Sequence, residues 1–233
     1  MRPHARSFAA ITLAGACVGA LAQTPIPSAS VFSNGTDYDT RALTKFATFS
    51  ADMVGSQVTV RFVDGTTESV SWAAAGALGT GWSLVLRNDS FIAGAWKLSN
   101  DGSRSIKGLT FDGRPGNTVF DVVPFTVNSP GSLRGKPLGD VFAANNIGFA
   151  QGNYRDRLSV DGTWYEDLYL VLDIDFRFPF LAGDLFYSAD TDNIDVQLGG
   201  ITPVVPEPGT YGLMAVGLAS LLSLARGRRT RQA

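Results

Sequence analysis

The sequence has little of the two side chains that most often carry enzyme chemistry. It contains one histidine and one cysteine, His4 and Cys17, both near its start. This excludes from the rest of the chain histidine-dependent serine or cysteine nucleophiles, imidazole or thiolate zinc sites, and disulfide bonds. Core packing and strand pairing must therefore hold the rest of the chain together.

Nucleotide-binding signatures and glutamate are also scarce. No Walker-type phosphate loop and no dinucleotide-binding glycine fingerprint is present. Between residues 23 and 203 the glutamates are Glu68 and Glu166. A glycosidase needs two carboxylates about 5–9.5 Å apart. Asp173 or Asp175 could partner Glu166, but no motif supports either pair. We expect a protein without catalytic activity, with a carboxylate-based glycosidase as the less favoured alternative.

The amino-terminal residues have the pattern of a secretory signal peptide. Arg2 and Arg6 form a basic start, residues 8–18 are mostly apolar, and residues 20–22 (Ala-Leu-Ala) form a small-x-small cleavage site. We therefore predict that residues 1–22 are a signal peptide.

The carboxyl-terminal residues combine three features in a fixed order. Pro206 and Pro208 flank Glu207 and keep this stretch extended, so a helix can begin only after it. Residues 212–225 are uncharged, and roughly 15 helical residues would span about 22 Å, less than the ~30 Å hydrocarbon core of a membrane. Four arginines follow: Arg226, Arg228, Arg229 and Arg231. Because arginines favour the cytoplasmic side and can reach the headgroups, we predict a transient anchor that leaves the preceding residues outside.

This arrangement resembles the PEP-CTERM sorting signal of exported bacterial proteins. The resemblance covers residues 204–233 and implies processing by an exosortase, a membrane-embedded protease-like enzyme. Carried over to this chain, Pro206, Glu207 and Pro208 are the recognition element, residues 212–225 the transient membrane helix, and the four arginines the stop signal. It also implies a destination at the cell surface or in the extracellular matrix, with a link to exopolysaccharide and biofilm.

Residues 23–203 have the pattern of one all-β domain. Short apolar runs alternate with Asn-Asp, Asp-Gly and Pro-Gly turn signals, which indicates a single antiparallel β-sandwich or jelly roll. Stretches such as "VTVRFVDGTTESVSW" and "YSADTDNIDV" are similar to segments of β-rich PEP-CTERM proteins of undetermined function. At Asp64-Gly65 we predict a hairpin with a three-residue loop that pairs Val60 with Val70.

The clearest strand is "LYLVLDIDFRF", for which alternation predicts one core face and one mostly solvated face. The predicted core face contains Leu168, Leu170, Leu172, Ile174, Phe176 and Phe178.

The charge of the domain argues against some partners. Outside the two end segments, 13 basic and 20 acidic residues remain, which is a net charge of −7. An acidic surface disfavours nucleic acid and anionic membranes, so we expect contact with a membrane only through the carboxyl-terminal segment.

Two groups of residues are candidate binding sites. Asp190, Asp192 and Asp195 supply dense hard oxygen ligands that suit Ca²⁺, but the EF-hand spacing is absent and an Asx-rich turn between two strands is the favoured explanation. Trp164 and Tyr165 follow an Asp-Gly turn and could stack on sugar rings, or pack at the rim of the core.

We therefore expect an exported structural or interaction protein linked to exopolysaccharide, with a carbohydrate-binding module as the alternative.

Overall fold

The computed structural model describes residues 25–33, 35–122, 135–145 and 147–204, apart from the side chains of Lys45 and Glu166. This part of the chain contains seventeen β-strands and three short 3-10 helices. The strands are β1 (Pro25–Ile26), β2 (Ser28–Phe32), β3 (Tyr38–Thr40), β4 (Leu43–Lys45), β5 (Gln57–Phe62), β6 (Thr67–Ser71), β7 (Ala77–Leu78), β8 (Trp82–Leu86), β9 (Trp96–Asn100), β10 (Ile106–Asp112), β11 (Thr118–Asp121), β12 (Gly139–Ala143), β13 (Ala150–Val160), β14 (Thr163–Phe180), β15 (Gly183–Ser188), β16 (Thr191–Ile194) and β17 (Thr202–Pro203). The 3-10 helices are η1 (Ser50–Met53), η2 (Arg114–Gly116) and η3 (Val196–Leu198).

These strands form two sheets, which confirms the predicted all-β sandwich. Six strands make one sheet in the order β1-β12-β15-β9-β8-β7, and every neighbouring pair in it is antiparallel. Eleven strands make the other, with the main order β17-β3-β13-β14-β10-β5-β6. The larger sheet is mostly antiparallel, but β2 and β3 pair with β13 in parallel. Strands β11, β16 and β4 extend it beside β14.

The main core lies where the inner faces of the two sheets meet. Its centre is a set of aromatic rings in edge-to-face or stacked contact, which is the geometry that aromatic quadrupoles favour. The rings belong to Trp72, Trp96, Phe111, Phe120 and Tyr187. Trp96 Nε1 donates a hydrogen bond to the carbonyl oxygen of Ala189 at 2.8 Å, so its polar edge is satisfied inside the core.

Strand β14 contacts two cores, which corrects part of the predicted alternation. Leu172, Ile174 and Phe176 belong to the main core as expected. Leu168 and Leu170 instead belong to a second cluster with residues of β4, β11, β13 and β16. The other five members of the predicted face are buried, but Phe178 is 51% exposed. Simple alternation fails because neighbouring strands cover different parts of β14.

The hairpin of β5 and β6 confirms the predicted loop length and corrects the register. Phe62 N–H donates to the carbonyl oxygen of Thr66, which leaves a three-residue loop between them. Val58, and not Val60, is the partner of Val70. Because the error is two residues, each side chain keeps its predicted face.

Candidate functional site

The predicted sorting elements lie outside the described residues. These are Pro206, Glu207, Pro208, the four arginines Arg226, Arg228, Arg229 and Arg231, and the uncharged segment between them, together with the predicted signal peptide. In residues 25–33, 35–122, 135–145 and 147–204, no helix is long and apolar enough to cross a membrane.

The first residue of the predicted sorting segment, Val204, is attached to an edge of the larger sheet. Strand β17 pairs with β3, and Val204 N–H donates to the carbonyl oxygen of Asp37 at 2.9 Å. The Asp37 carboxylate accepts hydrogen bonds from Arg157 on the neighbouring strand β13, the shortest at 3.1 Å. Asp37 therefore binds Val204 through its backbone and Arg157 through its carboxylate.

Trp164 lies on the same surface, at the start of β14. The turn before it has Asp161 and Gly162 at φ values of +50° and +72°, the conformation of a two-residue hairpin loop. Trp164 is 40% exposed, and the Arg157 guanidinium carbon lies 4.9 Å from the centre of its ring. Tyr165 is half-buried and packs against the second core cluster. Of the two predicted aromatics, Trp164 is the one that presents a large surface to solvent.

The outer face of the larger sheet pairs its carboxylates with arginines. Asp173 accepts a hydrogen bond from Arg155 Nε at 3.0 Å, and Asp175 accepts one from Arg61 Nη2 at 2.8 Å. The nearly buried Asp156 carboxylate lies 3.0 Å from Arg114 and 3.2 Å from Arg155. The two aspartates considered as partners of Glu166 in a glycosidase are thus held in ion pairs.

A cluster of buried aspartates lies where β14, β11 and β16 meet. Asp121 N–H donates to the carbonyl oxygen of Asp190 at 3.3 Å, and two pairs further along Val119 is the partner of Asp192. Since cross-strand partners and residues two apart share a face, the register places Asp121, Asp190 and Asp192 on one side of the sheet. Asp167 lies on the adjacent strand β14, next to Val122. All four aspartates are buried.

Burial and mutual repulsion strongly perturb these carboxyl groups. Burial raises the pKa of Asp190 to about 9, and the charges of Asp192, Asp121 and Asp89 add to the increase. Burial likewise raises the pKa of Asp192 to about 8, with further increases from Asp121, Asp167 and Asp89. The pKa of Asp167 rises to about 7, first because of burial and then because of Asp121.

Hydrogen bonds compensate only part of this burial. Asp190 Oδ1 accepts from the Ser90 hydroxyl at 3.0 Å and from the Thr191 N–H at 2.9 Å. Asp192 Oδ2 and both carboxylate oxygens of Asp167 are buried and accept no hydrogen bond from another residue. A buried carboxylate without a partner is costly, so the cluster favours either a bound proton or a bound cation.

The three aspartates predicted to bind calcium do not act as one group. Asp195 precedes η3, and its Oδ1 accepts the Gln197 N–H at 2.8 Å as a helix cap. Asp190 and Asp192 belong to the buried cluster. Within the described residues, no three His, Cys, Asp or Glu side chains already have the arrangement of metal ligands.

Sequence reasoning missed Asp121 and Asp167. Asp121 is a single acidic residue within a hydrophobic run, "VFDVV", and Asp167 follows Glu166 directly before one, in "EDLYLVL". A charged residue inside an otherwise buried strand was the available signal, because such a residue is almost never fully buried without a partner.

An open groove of about 420 Å³ lies at one end of the smaller sheet. Its lining includes Trp82, Asp101 and Asp184. Glu68 accepts a hydrogen bond from Trp82 Nε1 at 3.0 Å, and Asp184 pairs with Lys97 at 3.0 Å. The Trp82 ring is itself buried, so the groove presents polar groups and no exposed aromatic platform.

Comparison with known proteins identifies the carboxyl-terminal segment. A family model described as the PEP-CTERM protein-sorting motif matches residues 204–229. No curated protein and no solved structure matches the chain. The motif indicates an exported protein that is anchored transiently at the membrane and processed by an exosortase-type enzyme. The chain is therefore a PEP-CTERM sorting-motif protein whose described domain is a β-sandwich.

Proposed function

We propose that this protein acts, after processing, as a structural or interaction protein at the cell surface or in the extracellular matrix, in association with exopolysaccharide. The observation that carries the proposal is the sorting motif at residues 204–229, which begins directly after the last strand of the domain. A sandwich that is held together without disulfides suits this role, because its stability does not depend on the redox state of its surroundings.

We also propose that the domain is not an enzyme. The carboxylates on the outer face of the larger sheet support this, since Asp173 and Asp175 accept hydrogen bonds from Arg155 and Arg61. The catalytic carboxylates of a glycosidase must face the scissile bond of the sugar, whereas these two carboxylates accept hydrogen bonds from guanidinium groups. A purified protein that hydrolyses polysaccharide would contradict this part of the proposal.

The first experiment is to recover the protein from surface, matrix and medium fractions of its native cells and to determine the mass of its intact chain. We expect a chain that starts near Gln23, lacks Arg226–Arg231 and is enriched in the matrix. A chain that retains the arginines and stays with the inner membrane would overturn the proposal. A processed chain found only in the medium would support export but contradict the matrix role.

A second candidate function is glycan binding at Trp164. Its exposed ring supports this function, because flat aromatic faces stack on sugar rings and the neighbouring Asp37 and Arg157 can bond hydroxyl groups.

We predict that Trp164→Ala weakens retention on the native exopolysaccharide at least about tenfold, which is the loss of ~1.4 kcal/mol of binding free energy. The matched control is Phe178→Ala, since Phe178 is also a half-exposed ring, 51% exposed, with an arginine 5.4 Å from its centre. Affinity electrophoresis in gels containing the polysaccharide measures the retention. Equal losses in the two variants, or none in either, would rule out a specific site at Trp164.

A further inference from the structure

Strand β6 is the longest of the four strands that end the main orders of the two sheets. The other three, β1, β7 and β17, have two residues each, whereas β6 has five. Very short end strands give another chain little to pair with, and they protect a sheet against edge-to-edge association. The β6 edge of the larger sheet is long enough to accept a further strand.

Alternate residues of β6 direct their backbone groups away from the sheet. Phe62 N–H donates to the carbonyl oxygen of Thr66 at 3.0 Å, and the register continues without a shift from there. Because hydrogen-bonded and non-hydrogen-bonded pairs alternate in an antiparallel ladder, the N–H and C=O groups of Thr67, Ser69 and Ser71 point away from β5. We call these three the outward residues of β6. In the part of the chain that the structure describes, β5 is the only strand that pairs with β6.

The side chains of β6 leave this edge open. The outward residues are exposed and uncharged, and the strand contains no proline, lysine or bulge. Natural sheets usually protect a long edge with one of these features. Glu68, the charged residue of the strand, is directed elsewhere, since its carboxylate accepts hydrogen bonds from Thr80 N–H at 2.9 Å and from Trp82 Nε1 at 3.0 Å. The edge therefore presents free backbone donors and acceptors without a charge that would repel another strand.

The sequence of β6 is complementary to itself. In an antiparallel pair of two copies with a two-fold axis at Ser69, this residue faces its own counterpart and Thr67 faces Ser71. Each of these facing pairs consists of outward residues, so each exchanges two backbone hydrogen bonds. Glu68 faces Val70, which avoids like charges directly opposite each other, and facing serine and threonine hydroxyls stabilise such pairs further.

We propose that two copies of this protein associate through their β6 strands and join their larger sheets into one continuous sheet. The partner is a second copy because the same register satisfies the outward groups of both edges at once. A two-fold contact uses the same surface on both copies, so association stops at the dimer. The dimer goes beyond the proposed function and does not depend on exopolysaccharide.

The first test measures self-association of the full chain in mild detergent. Sedimentation velocity from about 1 to 100 μM is expected to show a monomer that converts to a dimer. Amide hydrogen exchange in residues 67–71 is expected to slow as the dimer forms, because the outward N–H groups become bonded. A chain that stays monomeric over this range would overturn the proposal. A dimer that leaves exchange in β6 unchanged would also overturn it, since such a dimer uses another surface.

Charge substitutions at Ser69 test the register. Ser69→Lys and Ser69→Glu are each expected to raise the dissociation constant at least about tenfold, because like charges then face each other across the axis. An equimolar mixture of the two variants is expected to restore association as a mixed dimer, since opposite charges then face each other. This recovery also shows that both variants are folded.

The matched control is Gln151→Lys, which adds the same charge at an exposed position of β13 in the same sheet. It is expected to keep the dissociation constant of the wild-type protein. Undiminished association of Ser69→Lys would overturn the proposal. An equal loss in Gln151→Lys, or a mixture of the Ser69 variants that stays monomeric, would overturn it as well.

Discussion

Raising the pH in the absence of divalent cations is expected to destabilise the fold through its buried aspartates. In the unfolded chain an aspartate has a pKa of about 3.9. In the folded protein burial raises the pKa of Asp192 to about 8 and that of Asp190 to about 9. Between these limits the folded state holds protons that the unfolded state has released. Stability from these groups is therefore complete below about pH 4 and is lost as the pH rises toward 8 or 9.

The size of this effect follows from the number of protons held. For each proton that only the folded state binds, the free energy of unfolding falls by about 1.4 kcal/mol for every unit by which the pH rises. Asp190 and Asp192 together are expected to lower the free energy of unfolding by about 3 kcal/mol for each unit by which the pH rises between pH 5 and 7. Asp167, whose pKa is raised to about 7, adds to the slope over the lower part of this range. Since a domain is stable by only about 5–15 kcal/mol in total, the change is easily measured.

The assay is thermal unfolding by circular dichroism in EDTA from pH 5 to pH 8. Below pH 5 the free energy of unfolding is expected to fall as the pH falls. The hydrogen bond from Lys136 lowers the pKa of Asp140, and the stabilising charge of this carboxylate is lost in acid. Asp192→Asn is expected to reduce the slope by about 1.4 kcal/mol per pH unit, and Asp195→Asn is expected to leave it unchanged. Stability that is constant or rises with pH in EDTA would refute the reasoning.

Two further substitutions test the packing of the domain. Trp96→Phe is expected to lower the free energy of unfolding by about 2–4 kcal/mol in urea titrations, because it leaves a cavity and removes the hydrogen-bond donor to Ala189. A loss below about 1 kcal/mol would contradict this packing. Gly116→Ala is expected to cost about 2–3 kcal/mol, because the added carbon would lie 2.5 Å from the backbone nitrogen of Ser56. Gly162→Ala is its control, since no atom lies within 4 Å of the added carbon. Only the φ of +72° is unfavourable there, and it is expected to lower the free energy of unfolding by about 1 kcal/mol. Equal losses in the two glycine variants would show that the close contact is unimportant.

Local patterns determined the fold class and the sorting signal of the protein. The alternation in β14 and the Asp161-Gly162 turn act over a few residues, so they can be read without knowing the partner strands. The sorting motif is likewise continuous, and its family model matches where the residues predicted it. Even the wrong register of the β5–β6 hairpin preserved each face, because side-chain direction depends on parity alone.

Only the tertiary structure decided which strands lie side by side. Pairing of β11 with β14 and β16 brings Asp121 next to Asp190 and Asp192, although "ADTDNID" alone suggested Asp195 as their companion. It also places a second core against β14, so that Leu168 and Tyr169 are both buried. Burial and charge proximity arise from contacts between residues that are distant in sequence, and no local period encodes those contacts.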